Sequence, residues 1–166
     1  MAASGSNPNP EQGRPSASPS PSDPTDKNRY QILIVEDSKA DLFLIKEAIA
    51  ATKIDASLHI VNNGEQAVQF FDKASAGDET CPDLVLLDLN LAKKDGTEVL
   101  RYMRDNLTCR NALVIVVSSS DSGRDREAVK ALGFNGYFRK PSAYAEFMKL
   151  GPMIKDLLIS NVAPKE

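Results

Sequence analysis

Hydrophobic and polar positions follow two alternating patterns along most of the chain. Short, mostly apolar runs, which are typical of buried β-strands, are separated by segments whose apolar residues recur every three or four positions, as on one face of a helix. The strand-like runs are 31–35, 57–61, 84–88, 112–117 and 136–138, and the helix-like segments are 38–49, 67–74, 96–105, 124–132 and 142–160.

This alternation of strands and helices predicts a parallel sheet covered by helices on both faces. Right-handed crossover connections restrict the possible strand orders. We therefore predict an α/β fold with a flavodoxin-like, doubly wound, five-stranded parallel sheet in the order 2-1-3-4-5. The last helix-like segment contains Gly151-Pro152, which either kinks the helix or marks a second helix that begins at Pro152.

Polar residues stand at the ends of four of the predicted strands. Glu36 and Asp37 follow the first strand, and Asp88 ends the third. Ser118 follows the fourth strand, and Lys140 follows the fifth. The carboxyl ends of parallel strands meet at one edge of a sheet, and the first and third strands are neighbours about 4.8 Å apart. We therefore expect these side chains to share one small space.

Three carboxylates cannot share that space without compensation. A like-charge pair at 4 Å costs roughly 1 kcal/mol in water and roughly 4 kcal/mol near a protein surface. Either one carboxylate holds a proton or a hard cation lies among them. Carboxylates with a backbone carbonyl and water are ligands that Mg²⁺ prefers, so the candidate ligands are Glu36, Asp37, Asp88 and the backbone carbonyl of Asn90. Lys140 would supply a positive charge on the opposite side.

We expect ordinary structural roles for three other acidic residues and for the single histidine. Asp41, Asp83 and Asp95 are interpreted as solvated caps and turn residues, and Asp41 stands three positions after Ser38, as in a capping box. His59 lies on the second strand, away from the acidic cluster, so we expect a surface or packing role for it. A single Asp at a strand end is also usually a turn residue. The prediction of a site therefore depends on the presence of polar residues at the ends of four strands at once.

Composition separates the first 28 residues from the rest of the chain. Residues 1–28 contain six of the ten prolines and no Val, Ile, Leu, Phe, Tyr or Trp. We predict a disordered tail, because such a segment cannot bury enough apolar surface to offset the ordering of its backbone. It lacks the basic start and apolar run of a signal peptide, and no apolar run in the chain is long enough to span a bilayer.

Charge and cysteine content narrow the class further. The net charge of -3 argues against non-specific binding to nucleic acid. Cys81 and Cys109 stand 28 residues apart, outside any CxxC motif. We interpret them as reduced thiols of a cytoplasmic protein rather than as a zinc site or a disulfide.

The motifs at the strand ends resemble those of response-regulator receiver domains. They are ILIVEDS at 32–38, DLVLLDLN at 83–90, the serines after Val117, and YFRKP at 137–141, and the resemblance covers about residues 29–160. Residues 161–166 are then a short C-terminal tail.

The resemblance implies a role for each site residue. Asp88 is implied to be the phosphoacceptor, and Glu36 and Asp37 to hold Mg²⁺ together with the carbonyl of Asn90. Lys140 is implied to pair with the phosphoryl group, and the proline after it to follow a cis peptide bond. By the same resemblance, Ser118 and Tyr137 are the switch residues.

The sequence departs from the usual receiver pattern at two positions and in two segments. Leu91 stands where methionine is frequent and Ala92 where proline is frequent, which we expect to tune the loop without abolishing phosphorylation. The long loop at 75–82 and the long final helix resemble a subclass of stand-alone receivers, some of which serve phytochrome-type kinases.

The implied function is that of a single-domain response regulator in a two-component phosphorelay. Its partner is implied to be a sensor histidine kinase, and the phytochrome type is the kinase suggested by the subclass. Only a few residues follow the receiver, so we expect output by protein–protein contact, with no nucleic acid, no membrane and no enzymatic activity beyond self-phosphorylation and self-dephosphorylation. The apolar final helix is either a buried terminal helix or a face for homodimerisation.

Three alternatives are weighed against this function. Haloacid-dehalogenase-type phosphatases also use a strand-end aspartate as nucleophile. Their motif is DxDx[TV], in which the second Asp is the general acid, and here Asn90 replaces that Asp. A flavin-binding module is disfavoured because Glu36 and Asp37 would repel its phosphate. A degenerate receiver is disfavoured because all the key positions are filled.

Overall fold

The computed structural model describes residues 29–91, 95–119 and 123–161. The tail predicted at 1–28, most of the short C-terminal tail predicted at 161–166, and Ala92 lie outside the described residues. No helix in the described part of the chain is long and apolar enough to cross a membrane.

The sheet has the predicted strand order. All neighbouring strands pair in parallel, and the spatial order is β2-β1-β3-β4-β5. The central strand β3 is buried at every position, as expected for a strand covered on both faces. The strands are β1 (Tyr30–Val35), β2 (Ala56–Val61), β3 (Leu84–Leu87), β4 (Leu113–Ser118) and β5 (Gly136–Arg139).

Polar side chains cap the first three described helices. Asn63 accepts a hydrogen bond from the backbone of Gln66, and Asp95 accepts one from the backbone of Glu98, which confirms the capping role predicted for Asp95. The helices are α1 (Lys39–Thr52), α2 (Gly64–Ser75), α3 (Gly96–Asp105), α4 (Gly123–Leu132), α5 (Tyr144–Phe147) and α6 (Leu150–Asn161).

The last helix-like segment forms two helices rather than one kinked helix. Pro152 is the third residue of α6, where a missing N–H leaves no intrahelical bond unmade. Gly151 is needed beside it, because a Cβ there would lie 2.4 Å from the carbonyl oxygen of Ala48 in α1. The separate helix therefore begins two residues before Pro152 and packs closely against α1.

Successive residues of the central strands bury their side chains on opposite faces of the sheet. Leu33 and Val35 belong to the core beneath α2, α3 and α4, whereas Ile32 and Ile34 belong to the core beneath α1 and α6. Burying one such side chain contributes about 1.5–3 kcal/mol. Both cores hold the sheet in the register that aligns its carboxyl ends.

The edge of the sheet opposite the predicted site has a polar network. Asp83 lies in a bend and is partly exposed, as predicted for a turn residue, but it also accepts a hydrogen bond of 2.7 Å from the backbone N–H of Gln31. The side chain of Gln31 pairs with Nε2 of His59 at 2.7 Å, and the His59 ring packs 5.5 Å from the Phe70 ring. His59 therefore has the packing role that the sequence predicted.

The prediction of reduced thiols is wrong for this structure, which contains a Cys81–Cys109 disulfide. The two Cα atoms are 5.5 Å apart. Cys81 lies in the loop before β3 and Cys109 in the loop before β4, and these strands are neighbours in the sheet. The sequence separation gave no sign of this proximity, because it arises only when β3 and β4 pair.

We predict that breaking this disulfide destabilises the fold without displacing the carboxyl ends of the strands. Reduction of a disulfide that closes a loop of this length should lower the free energy of unfolding by about 3.6 kcal/mol. Denaturant unfolding with and without reductant measures the loss. The variant Cys81→Ser/Cys109→Ser serves as the control, since it should be insensitive to reductant; equal stability of the oxidised and reduced protein would contradict the prediction.

Candidate functional site

Main-chain hydrogen bonds continue past the ends of the strands and place the buried carboxylates. The N–H of Glu36 donates to the carbonyl of Val61, and the N–H of Asp88 donates to the carbonyl of Val35, both at 3.1 Å. Each of these residues therefore extends its strand by one position at the carboxyl edge. Asp37, the next residue along, is exposed at the mouth of the same space.

The structure brings the three predicted carboxylates together. Glu36, Asp37 and Asp88 each offer one oxygen, and these oxygens all lie within 4.8 Å of one another. Opposite ligands of an octahedral Mg²⁺ are about 4.2 Å apart, since each metal–oxygen bond is about 2.1 Å. The 4.8 Å bound is close to this separation, and carboxylate oxygens are the hard donors that a small divalent cation prefers. The structure thus supports a divalent-metal site at this edge of the sheet.

Backbone N–H groups hold the carboxylates of Glu36 and Asp88 in place. Ser38 donates its N–H to Oε2 of Glu36 at 3.1 Å, and Asn90 donates its N–H to Oδ1 of Asp88 at 3.0 Å. These bonds place the backbone of Asn90 beside the Asp88 carboxylate. Its carbonyl as a fourth metal ligand stays a prediction.

Gly96 allows the loop after β3 to fold back on Asp88. A Cβ at residue 96 would lie 2.4 Å from the carbonyl oxygen of Asp88 and 2.6 Å from the Cα of Leu89. A side chain here would push against the backbone that carries the predicted phosphoacceptor, so the glycine is part of what positions it.

Lys140 lies in the pocket because β5 pairs with β4. Its backbone N–H donates to the carbonyl of Ser118 at 2.9 Å, one residue beyond β5. Its ammonium group donates to Oε1 of Glu36 at 2.9 Å and to Oδ2 of Asp88 at 3.3 Å. The side chains of Lys140, Glu36 and Asp88 are only 8%, 1% and 5% exposed. Lys140 thus meets the acidic cluster as predicted.

Asp41 is a fourth carboxylate that the sequence interpretation missed. Its Oδ2 lies 2.7 Å from Nζ of Lys140, so its side chain, although partly solvated, pairs with the lysine instead of capping the helix as predicted. Only half of the predicted capping box forms. The backbone of Asp41 donates to Oγ of Ser38, but the N–H of Ser38 goes to Glu36 instead. A side chain in the first turn of α1 points toward the N-terminal end of that helix, where β1 ends, and this direction was the signal available in the sequence.

Burial and charge shift the pKa values of the central pair in a consistent way. Burial, together with the nearby charge of Asp88, raises the pKa of Glu36 to about 7, although Lys140 opposes the shift. Burial alone would lower the pKa of Lys140, but the hydrogen bonds to Asp41 and Glu36 raise it above its ordinary value. Lys140 is therefore charged at physiological pH, and the Glu36 carboxyl loses its proton near neutrality.

The two predicted switch residues lie at different distances from this cluster. Ser118 is fully buried at the end of β4 and meets Lys140 through its backbone. Tyr137 is half-buried on β5, opposite Val116. Its ring packs 5.7 Å from the ring of Phe134, and the guanidinium of Arg126 lies 4.6 Å from its centre. The switch roles of Ser118 and Tyr137 stay predictions.

One geometric prediction about the site is wrong. The described residues contain no cis peptide bond, so the bond between Lys140 and Pro141 is trans here. The prediction followed from the resemblance alone and had no support in the residues around Pro141.

The fold and the site together define a class: a parallel α/β protein with a divalent-metal site, a strand-end aspartate and a buried lysine at its carboxyl edge. Residues 32–150 match the family described as the response regulator receiver domain. The chain belongs to the response regulator receiver family.

Several relatives share most of this chain. Response regulator Rcp1 of Synechocystis sp. is 35% identical over 132 residues, which cover 79% of this chain and 90% of that protein. The phosphorylated cyanobacterial phytochrome response regulator RcpA aligns with a TM-score of 0.74 at 31% identity, covering 83% of this chain and 99% of that one. The Mn²⁺-bound form of Rcp1 aligns with a TM-score of 0.73 at 33% identity, covering 82% and 99%.

Family membership confirms the main functional prediction. The protein is a response regulator of two-component systems. It is a signalling protein whose family interacts with histidine kinases. The flavodoxin-like fold is confirmed by the same structural relatives. The family match supports the receiver over the phosphatase alternative.

We predict that divalent-cation binding tightens as the pH rises through neutrality. The pKa of Glu36 is about 7 in the metal-free protein, and the carboxyl must lose its proton to bind a cation. Raising the pH from 6 to 8 should therefore tighten Mg²⁺ binding by about tenfold. Titration calorimetry at several pH values measures this change, and repeating it in buffers of different ionisation enthalpy counts the released proton.

The variant Glu36→Gln is the control for this prediction. Its affinity should be weaker and nearly constant between pH 6 and 8, because residue 36 no longer titrates. A wild-type affinity that does not change over the same range would contradict the assignment of the titrating group to Glu36.

Proposed function

We propose that this protein accepts a phosphoryl group from a sensor histidine kinase on Asp88, with Mg²⁺ held by Glu36, Asp37 and the backbone carbonyl of Asn90. The observation that carries the proposal is the contact of Lys140 with Asp88 at 3.3 Å beside a cluster of three carboxylates. A buried cation next to a nucleophilic carboxylate is suited to neutralise the charge of an incoming phosphoryl group.

The proposed reaction transfers a phosphoryl group between two side chains. An oxygen of the Asp88 carboxylate attacks phosphorus and forms an acyl phosphate, while the bond from phosphorus to the kinase imidazole breaks and the imidazole keeps the electron pair. Lys140 donates hydrogen bonds to the transferring group without giving up its proton, since its pKa is raised. A bound Mg²⁺ would supply further charge neutralisation on the phosphoryl oxygens.

The proposed output is a change of the surface near β4 and β5. A phosphoryl group adds about one to two negative charges and strong acceptor oxygens beside the buried end of β4. Ser118 would donate its hydroxyl to this group, and Tyr137 would turn toward the space that Ser118 leaves. Arg126 would then lose its position over the Tyr137 ring. These movements are inferred from the family resemblance, because the corresponding residues are present in this chain.

The proposed setting is a stand-alone receiver in the cytoplasm. We propose a receiver domain at 29–160, flanked by the segments 1–28 and 161–166. The match to 90% of the length of Rcp1 supports the comparison with that response regulator. The name of RcpA as a phytochrome response regulator favours a phytochrome-type kinase as partner. We propose no contact with nucleic acid and no enzymatic activity beyond self-phosphorylation and self-dephosphorylation.

We also propose that the protein forms a homodimer through the region of α5 and α6. Most apolar residues of α6 face the core, including Leu150, Ile154 and Leu158. Tyr144 on α5 and Ile159 on α6 are nevertheless exposed large side chains. A second copy that covers these residues would remove them from water.

We predict that acetyl phosphate labels the protein once and only when Mg²⁺ is present. Asp88→Asn should abolish labelling because the amide cannot act as the nucleophile. Intact-mass spectrometry at neutral pH counts the phosphoryl groups. Asp95→Asn is the matched control, since Asp95 caps α3 and should leave the labelling rate unchanged. Labelling that survives Asp88→Asn would overturn the site.

The same preparation separates a receiver from a phosphatase. A receiver releases about one phosphate per protein molecule in each slow cycle, whereas a phosphatase releases phosphate linearly over many turnovers from small phosphate esters. Rapid multiple turnover would therefore contradict the proposed function.

We predict that the homodimer weakens when Ile159 is replaced by Asp, because a charge would be buried at the interface. Light scattering of the wild type and the variant, each with and without beryllium fluoride as a phosphoryl mimic, measures the oligomeric state. Leu107→Asp is the control, since Leu107 is exposed in the loop after α3. A wild-type monomer under both conditions would overturn the proposed dimer.

A further inference from the structure

The ammonium group of Lys140 has three N–H donors, and each one meets a carboxylate. The acceptors are Asp41 at 2.7 Å, Glu36 at 2.9 Å and Asp88 at 3.3 Å. Glu36 and Asp88 belong to the cluster that fits a divalent cation, whereas Asp41 does not. The closest partner of Lys140 is therefore the one carboxylate of the three that has no place among the metal ligands.

We propose that Asp41 is a positioning residue that holds Lys140 in the pocket while a cation and a phosphoryl group occupy Glu36 and Asp88. The proposal rests on the proposed function of the site. A cation that takes oxygens of Glu36 and Asp88 withdraws those oxygens from Lys140, and a phosphoryl group on Asp88 replaces the third contact. Asp41 is the partner that keeps its contact with Lys140 throughout.

The position of Asp41 suits this role because its helix is fixed to the end of β1. Its backbone N–H donates to Oγ of Ser38 at 3.3 Å, and the N–H of Ser38 donates to Glu36. The backbone of Asp41 is therefore fixed relative to the acidic cluster. Its side chain is 30% exposed, so it remains solvated while the ammonium it contacts is buried.

Asp41 also reduces the competition between Lys140 and a cation. A buried ammonium needs hydrogen-bond acceptors for all its protons. Without Asp41, the third N–H of Lys140 would donate to Glu36 or Asp88 instead. The lysine would then bind more tightly to the same oxygens that a cation needs. Removal of Asp41 should then weaken cation binding through Lys140, and it should slow phosphorylation even when the cation is saturating.

The test uses Asp41→Asn, which keeps the backbone bond to Ser38 and removes the charge. We expect Mg²⁺ affinity, measured by calorimetry, to fall by about tenfold, and labelling by acetyl phosphate at saturating Mg²⁺ to slow by about tenfold. Asp41→Glu should restore most of both. Glu47→Gln removes a charge from an exposed position on the same helix and should change neither.

A double-mutant cycle distinguishes positioning from a direct effect of charge. In the Lys140→Met background, Asp41→Asn should have no effect on Mg²⁺ affinity if Asp41 acts through Lys140. The same loss of affinity in both backgrounds would overturn the proposal, since it would show that the charge of Asp41 acts on the cation directly. Wild-type affinity and labelling in Asp41→Asn, accompanied only by a lower melting temperature, would overturn it too.

This failure is distinguishable from failure of the proposed function. If the wild type is labelled on Asp88 but Asp41→Asn behaves as the wild type, only the positioning role is lost. If the wild type is not labelled at all, the phosphoacceptor assignment fails, and the cation affinities still decide whether Asp41 acts through Lys140.

Discussion

The ion pairs of one buried lysine connect every part of the site. Lys140 enters from β5, Glu36 and Asp88 from the ends of β1 and β3, and Asp41 from the first turn of α1. A buried ammonium is costly unless it is fully paired, so the four elements can hold this arrangement only when their ends meet at one point. Asp37, Asp41 and Asp88 outnumber the single ammonium group, and once Glu36 has lost its proton the excess of negative charge suits the pocket to a divalent cation.

The sheet determines this meeting point through its register. Main-chain bonds continue one residue past the carboxyl ends of β1, β3 and β5, which aligns Glu36, Asp88 and Lys140 along the same edge. The two apolar cores on either side hold that register, and Gly96 leaves room for the loop after Asp88. Packing throughout the domain thus sets the distances between the charged groups on which the proposed cation binding and phosphorylation depend.

The sequence predicted the features that follow from local patterns. Strand order, strand ends and the approach of Glu36, Asp37, Asp88 and Lys140 come from hydrophobic periodicity and from the general topology of parallel sheets. The sequence did not predict the Asp41–Lys140 pair, because an acidic residue three places after a Ser is usually part of a capping box.

The other misses also concern pairs of residues that are distant in sequence. The disulfide between Cys81 and Cys109 depends on β3 and β4 lying side by side, and the bond from Gln31 to Asp83 depends on β1 and β3 doing so. The helix at Leu150 begins earlier than Pro152 indicated, because the close approach of Gly151 to Ala48 decides where α6 packs. Tertiary contacts of this kind leave no periodic signal in the chain.

The most direct test of the central claim is the location of a bound divalent cation. Crystals grown with Mn²⁺ should give an anomalous scattering peak within about 2.3 Å of oxygens from Glu36, Asp37 and Asp88, with Lys140 still in contact with Asp41. A strong peak at another place, with this pocket holding none, would contradict the account.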